Sequence, residues 1–376
     1  MQIEGELCGT IHVEQPEGLC TMAIVLSGDI GGTKTILRLS PADSNPALPG
    51  TNLYRQRFPS ADYPDLVPMV QQFFTEAAQH LPESEVEQLD RLSAACFAIA
   101  GPVVDNTSQL TNLSWQLDGD RLAQELNIAR VELLNDFAAI GYGVTALPDS
   151  DLAQLQAGTP ASEAPIGVLG AGTGLGQTYL TWQGDGYRVH PSEGGHAGFA
   201  PRTERQQELL RYLWERHGRV SVERVVSGQG IVSIYQFLRD RRSTPAAETE
   251  AGKAVAEAVR AWERDRSGDA GAAIGEAALE GSDPLSVETL QLFVSAYGAE
   301  AGDLALKLLP AGGLYVAGGI ATKILPLLQQ GEFMEAFLDK GRLTPVLKTF
   351  PVKVVLNPKV GSIGAALRAT QLARRG

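Results

Sequence analysis

Gly28, Asp29, Gly31, Gly32 and Thr33 stand together between two apolar stretches, the first ending at Leu26 and Ser27. Glycines in such a turn let the backbone approach an anion closely, and exposed N–H groups can cradle a phosphate. A carboxylate in a phosphate-binding turn requires a cation between the two. Asp29 therefore implies Mg²⁺, held directly or through water. The turn is not a Walker A loop, because Thr33 stands where that pattern has the glycine before Lys-Ser/Thr. No helical pattern follows it, so it is not a dinucleotide fingerprint either. Taken alone, it also reads as a plain β-hairpin turn.

A second segment repeats the design. An apolar run from Ile166 leads into Gly170, Gly172, Thr173, Gly174 and Gly176, and an alternating strand follows. Thr33 and Thr173 are 140 residues apart, which suggests two half-molecules facing one nucleotide. A third turn, Gly318 and Gly319, ends the short apolar run from Leu314. Glycines at the C-terminal end of a strand leave room for a flat ring or a ribose against the backbone. Each motif is weak alone, but the three in this order are a strong signal for a nucleotide.

Two further places carry acid–base groups. Asn135 and Asp136 end an apolar strand and precede Phe137. Such a carboxylate can accept a hydroxyl proton or simply cap the next helix. Glu193 and His196 flank two glycines, Gly194 and Gly195. Both side chains can accept hydrogen bonds from a polyol, and the same four residues also read as a surface turn.

With these segments in place, the chain resembles the bacterial glucokinase family, within the sugar kinase/actin/heat-shock ATPase superfamily. The likeness rests on Gly28 to Thr33, Leu134 to Phe137, Gly170 to Gly176, Glu193 to Pro201, Ser221 to Gly228 and Val316 to Ile320. It runs from about Ala23 to the C-terminus. The resemblance implies ATP-dependent phosphorylation of glucose, with Asp136 as general base. Asn135, Asp136, Glu193, His196 and Glu223 would hold the sugar, and Asn112 is a possible extra contact. Gly31, Gly32 and Thr33 would meet the β and γ phosphates. Gly172, Thr173 and Gly174 would grip them from the other side, and Gly318 and Gly319 would flank the adenosine. It further implies an α/β fold of two ribonuclease-H-like (actin-like ATPase) lobes with mixed sheets and a cleft between them, and a homodimer. The sugar set contains no Arg or Lys. It suits a neutral polyol and would repel a sugar acid or sugar phosphate. A kinase for another neutral hexose is the alternative. A sugar-responsive regulator would need a basic DNA-binding domain ahead of Gly28, and residues 1–22 contain no Lys or Arg.

The elements that must position these groups follow from the pattern. Strands are expected at 23–27, 34–40, 53–58, 94–100, 131–134, 314–317 and 352–356, with helices over 64–80, 117–127, 205–217, 228–239, 287–309 and 360–375. Residues 243–283, rich in Ala, Glu and Arg, read as exposed, mainly helical structure with a mobile connector. The expected division is 23–146 plus 356–376 as a small lobe and 147–355 as a large one, the last helix returning to the first lobe as the resemblance implies. Residues 1–22 read as an extension, disordered or loosely packed, with Met22 as an alternative start. The composition is 44% apolar and 20% charged, ordinary for a globular chain. A net charge of −13 argues against nucleic acid or an anionic membrane as partner. Three cysteines without close pairs in sequence and no long apolar run suggest a cytoplasmic protein without a membrane span or structural zinc.

Overall fold

The computed structural model describes residues 23–45, 47, 51–110, 113–241 and 249–374. The expected extension, residues 1–22, lies outside them, as does Asn112. Two mixed sheets organise the chain. The first has the order β3-β2-β1-β4-β7, from β1 (Ile24–Ile30), β2 (Lys34–Pro41), β3 (Tyr54–Pro59), β4 (Ala94–Ile99) and β7 (Val131–Asn135). A two-stranded ribbon, β5 (Thr107–Gln109) with β6 (Gln116–Asp118), lies beside it in sequence. The second sheet has the order β11-β10-β9-β12-β13-β8, from β8 (Leu152–Gln156), β9 (Ile166–Ala171), β10 (Leu175–Trp182), β11 (Tyr187–Ser192), β12 (Gly313–Ala317) and β13 (Val352–Val355).

Five strands of the second sheet copy the first. β1 pairs antiparallel with β2 and parallel with β4, and β9 pairs antiparallel with β10 and parallel with β12. The two phosphate-like turns therefore occupy equivalent places, each joining an antiparallel pair. The α/β class and the actin-like fold expected from the sequence are the ones observed.

Small helices flank the first sheet: α1 (Leu66–Ala77), α2 (Glu83–Leu89) and α3 (Gly119–Glu125). Asp118 caps α3 by accepting from the Asp120 and Arg121 amides. The second sheet carries α5 (Glu204–His217), α6 (Gly228–Asp240), α7 (Glu250–Asp265), α8 (Ala270–Glu280), α9 (Pro284–Leu308), α10 (Gly319–Lys323), α11 (Leu325–Leu328), α12 (Glu332–Leu338) and α13 (Thr344–Leu347). The segment read as exposed is less so than expected. Val255 and Val259 of α7 and Ile274, Ala277 and Ala278 of α8 enter the main core. Alanine and valine at helical spacing bury a narrow stripe that composition alone hides. Residues 242–248 lie outside the described residues.

Between the sheets lie α4 (Asp136–Val144) and α14 (Val360–Arg374). Strand alternation explains the layering. On β4, Phe97 and Ile99 face one core with Leu26, while Ala94, Cys96 and Ala98 face Ala365 and Ala369 of α14. Small residues on that face let the helix lie close. Cys96 is a free, fully buried thiol of this layer. On the second sheet, Val168 and Leu180 pack against Ala138, Tyr142 and Val144 of α4. The two helices meet backbone to backbone. A Cβ on Gly364 would lie 1.7 Å from the Ala139 carbonyl oxygen, so only glycine permits the crossing.

Candidate active site

β1, α4 and α14 bring two carboxylates together. Asp29 is on β1 and Asp136 opens α4. Burial pushes the Asp29 carboxyl above its ordinary value; the charges of Lys34 and Arg55 and the Ser362 hydroxyl on α14 oppose it. Burial also raises the Asp136 carboxyl. The Phe137 amide pulls it down, and the negative charge of Asp29 pushes it up again. The helix cap is not Asp136 but Asn135. Its Oδ1 accepts from the Phe137 and Ala138 amides at 2.9 and 3.3 Å, and its Nδ2 donates to the Gly101 carbonyl at 2.9 Å. Asn135 thus satisfies the helix start and leaves Asp136 in the first turn. Asp136 Oδ1 accepts from the Phe137 amide at 2.8 Å.

The turn after β1 is framed by Ser60. Ser60 donates through its amide to Thr33 O at 3.1 Å and through its hydroxyl to Gly31 O at 2.7 Å. The Gly31 amide closes the turn on Lys34 O at 3.0 Å. Among the described residues the Gly32 and Thr33 amides donate to no protein group, so they are the donors left for an anion. Lys34 itself is exposed.

The equivalent turn after β9 is tied to α6. The Gly172 amide donates to Gly174 O, and the Gly228 amide donates to Gly172 O, both at 2.8 Å. Tyr297 of α9 braces the strand ends. Its hydroxyl accepts from the Ala171 amide at 3.0 Å and donates to Ala317 O at 3.4 Å. Gly318 follows with φ of 88°, and a Cβ there would meet the Ala171 carbonyl oxygen at 2.5 Å. A cavity of about 500 Å³ opens here. Gly172, Thr173 and Gly319, three of the residues expected to meet the nucleotide, line it, while Gly174 and Gly318 do not. Gly228, Lys323, the α8 cap Asp269 and the face of α8 that carries Gly271 and Gly275 also line it. Sequence reading missed these. The four-residue spacing of Gly271 and Gly275, which puts both on one helix face, was the available signal.

Glu193, His196 and Glu223 are brought together by two short 3₁₀ turns, Gly194–His196 and Val222–Arg224. The Val222 amide donates to Ala197 O at 2.9 Å, which joins the turns. His196 lies between two carboxylates, with Nε2 3.9 Å from Glu193 and Nδ1 4.0 Å from Glu223. Glu193 is exposed and Glu223 half-buried. The second Glu223 oxygen accepts from the Leu175 amide at 2.9 Å. The expected set held no Arg, yet Arg219 Nη2 donates to the His196 carbonyl at 2.6 Å.

Beneath this loop lies a buried polar pair that sequence reading also missed. Gln177 Nε2 donates to Glu300 Oε1 at 2.7 Å. A Cβ on Gly194 would come within 2.1 Å of Gln177 Oε1. Burial raises the Glu300 carboxyl, and the hydrogen bond from Gln177 lowers it. Gln177 sits in an alternating strand and Glu300 in the middle of a long helix, so neither position announces a partner 123 residues away.

Comparison with known proteins places this geometry. The glucokinase family profile matches residues 26–372. A glucokinase from Trichormus variabilis is 57% identical over 358 residues, covering 93% of this chain and 100% of the relative. The crystal structure of a glucokinase from an Antarctic psychrotroph superposes with a TM-score of 0.76 at 29% identity, covering 93% of this chain and 99% of that one. A ROK family glucokinase from Streptomyces griseus, in complex with glucose and AMPPNP, shares the fold at TM-score 0.57 and 20% identity, covering 93% of this chain and 100% of that one.

Proposed function

Because this chain belongs to the glucokinase family and is an enzyme that phosphorylates glucose, we propose that Asp136 takes the proton from the attacking hydroxyl and that ATP is the donor. The observation that carries this reading is the meeting of Asp29 and Asp136. Two carboxyls, each raised by burial and one raised by the other, stand at the C-terminal end of β1 and at the start of α4, Asp29 half-buried and Asp136 open to solvent. A base needs an affinity for protons near the working pH, and burial moves Asp136 toward it. Asn135 holds the helix start and so fixes where that carboxylate points.

Glu193, His196 and Glu223 bind and orient the sugar. The Gly32 and Thr33 amides meet phosphate from one side, and the turn at Gly172, Thr173 and Gly174 meets it from the other. Gly318 and Gly319 flank the adenosine, Gly319 from the wall of the cavity that α8 also lines. Mg²⁺ fits Asp29. That ion is commonly held by one or two carboxylates together with substrate phosphates and water. Among the described residues no cluster of three or more His, Cys, Asp or Glu offers it a cage. When bound, it neutralises phosphate charge.

The reading extends to a cytoplasmic homodimer. In its favour, Cys96 is a free buried thiol, and no described helix is long and apolar enough to cross a membrane. Light scattering tests the dimer.

A coupled ADP-release assay over a hexose panel with ATP and Mg²⁺ tests the chemistry. Glucose should turn over, and gluconate and fructose 6-phosphate should not. Asp136→Asn should lower turnover about 10²–10⁴-fold while sugar affinity stays within about tenfold, since the amide still bonds a hydroxyl. Retention of more than half of the wild-type turnover would remove Asp136 from the role of base.

A further inference from the structure

β7 and β11 are edge strands of the two sheets, and together they line a groove of about 800 Å³. No residue of either phosphate turn lines it. Each of the two strands leads into the site. Glu132 of β7 stands four residues before Asp136, and Val189 of β11 stands four residues before Glu193. At those same positions each strand is fastened to a central helix. Arg368 of α14 grips Glu132 with two prongs. Its Nε donates to Oε1 at 3.0 Å and its Nη2 to Oε2 at 2.7 Å. The pair is largely buried, with 13% of the Arg368 side chain and 27% of Glu132 exposed. A two-pronged pair of this kind fixes orientation as well as distance. Arg130, just before β7, adds a bond from Nη1 to the Leu372 carbonyl at 3.0 Å.

β11 is fastened to α4. Gly141 lets that helix lie close on the strand, for a Cβ there would stand 3.1 Å from Val189 Cγ1. Tyr142, the next residue, is buried in the same core cluster as Val189. Burial pushes its hydroxyl above the ordinary value, while the Arg368 charge and the Val189 amide pull it back. The Arg368 guanidinium lies 5.3 Å from the centroid of the Tyr142 ring, within reach of cation–π attraction. One arginine therefore holds the strand of the base directly and the strand of the sugar loop through Tyr142. We propose that Arg368 and Tyr142 are positioning residues that set the span between Asp136 and the loop of Glu193 and His196. The inference rests on the reading of those three side chains as base and sugar ligands. Glu132 pairs with Cys96 and Val189 with Leu180 in their sheets, so each strand moves with its neighbours and carries a shift at the tether to its end. A misplacement of about 1 Å at reacting groups is costly. The donor contacts hang on the turns after β1 and β9, so ATP binding should not feel this tether.

The test is steady-state kinetics with glucose and ATP varied in turn, and Tm measured alongside. Tyr142→Phe keeps the ring beside Arg368 and removes the hydroxyl near Val189. It should raise the KM for glucose about tenfold, the loss of one hydrogen-bonding group, with the KM for ATP unchanged. Arg368→Lys keeps a charge for Glu132 but loses the planar grip, and should shift the same constant in the same direction. Arg368→Gln leaves Glu132 without its partner. It should raise the KM for glucose further than Arg368→Lys and lower Tm as well. Tyr142→Phe combined with Arg368→Lys should fall short of the product of the single effects, because the two side chains act as one unit. A merely structural role would lower Tm and the active fraction, reducing kcat while both KM values stay put. Three results would overturn the tether: a wild-type KM for glucose in both Tyr142→Phe and Arg368→Lys, a KM for ATP that rises as much as that for glucose, or a full product in the double variant. Asp136→Asn in the same assay reports separately on the base. Retained turnover there removes the base reading, whereas a glucose KM unmoved by the tether variants removes only the tether.

Discussion

A hydrogen bond of 2.9 Å joins the Leu175 amide to the Glu223 carboxylate. Leu175 follows the turn at Gly172, Thr173 and Gly174, while the other Glu223 oxygen faces His196 at 4.0 Å. One side chain therefore touches both the sugar loop and the second phosphate turn. Glu223→Gln keeps an acceptor for Leu175 and should raise the KM for glucose more than it lowers kcat. Glu223→Ala leaves that amide unpaired and should raise the KM for ATP as well. Steady-state kinetics on both variants decides, and an equal ATP effect in the two would break the proposed connection.

Gln177→Leu should raise the KM for glucose about tenfold, with the KM for ATP nearly unchanged. It removes the support under Gly194 and strands the Glu300 carboxyl, a loss typically worth about 1–3 kcal/mol. A lower Tm should accompany it. The exchanged pair, Gln177→Glu with Glu300→Gln, should recover part of both losses. If the KM for glucose stays at the wild-type value in Gln177→Leu, the pair does not position Glu193 and His196.

Asp136→Asn should be more stable than wild type at neutral pH. The folded carboxyl has its proton affinity raised by burial, so folding favours the protonated form. Its favourable contribution is present below the unfolded value and is lost as pH rises through the folded one. An amide never ionises and avoids that loss. Thermal melts should therefore show a higher Tm for the variant at pH 7. The gap should close toward about pH 4, where unfolded Asp also binds its proton. A variant less stable than wild type at pH 7 would contradict this.

Saturating glucose should reduce the radius of gyration measured by small-angle X-ray scattering. The proposed phosphate contacts come from equivalent turns of two different sheets, and both must reach one nucleotide. An unchanged radius with bound sugar would count against closure.

Much of this was legible in the sequence, for a physical reason. Phosphate turns demand glycine at fixed places, and Gly28 to Thr33 and Gly170 to Gly176 advertise their geometry locally. Their flanking strands alternate cleanly, so the repeated sheet could be anticipated. The unseen parts depend on contacts between distant segments. Ser60 reaches back 29 residues to Gly31, and Tyr297 reaches 126 to Ala171. Both look like ordinary helix or turn residues in their own surroundings. α8 was harder still, because a helix of alanine and glycine reads as filler until a neighbouring turn gives its bare face a purpose. Asn135 is assigned to the substrate by likeness; its Oδ1 takes the helix start and one Nδ2 hydrogen goes to Gly101, which leaves the other for a sugar hydroxyl.

The helix that carries Asp136 lies between the two sheets and packs on both. A swing of one sheet against the other about an axis near that helix would follow from this packing. A point at the fulcrum moves least. The base would hold its station while the phosphate turns, out on the arms, travel furthest. Closure would then work as a latch that delivers the donor to a stationary acceptor, and the glycine crossing of α4 with α14 would be its hinge pin. An alanine at Gly364 would force that crossing apart and shift the helix that carries Asp136.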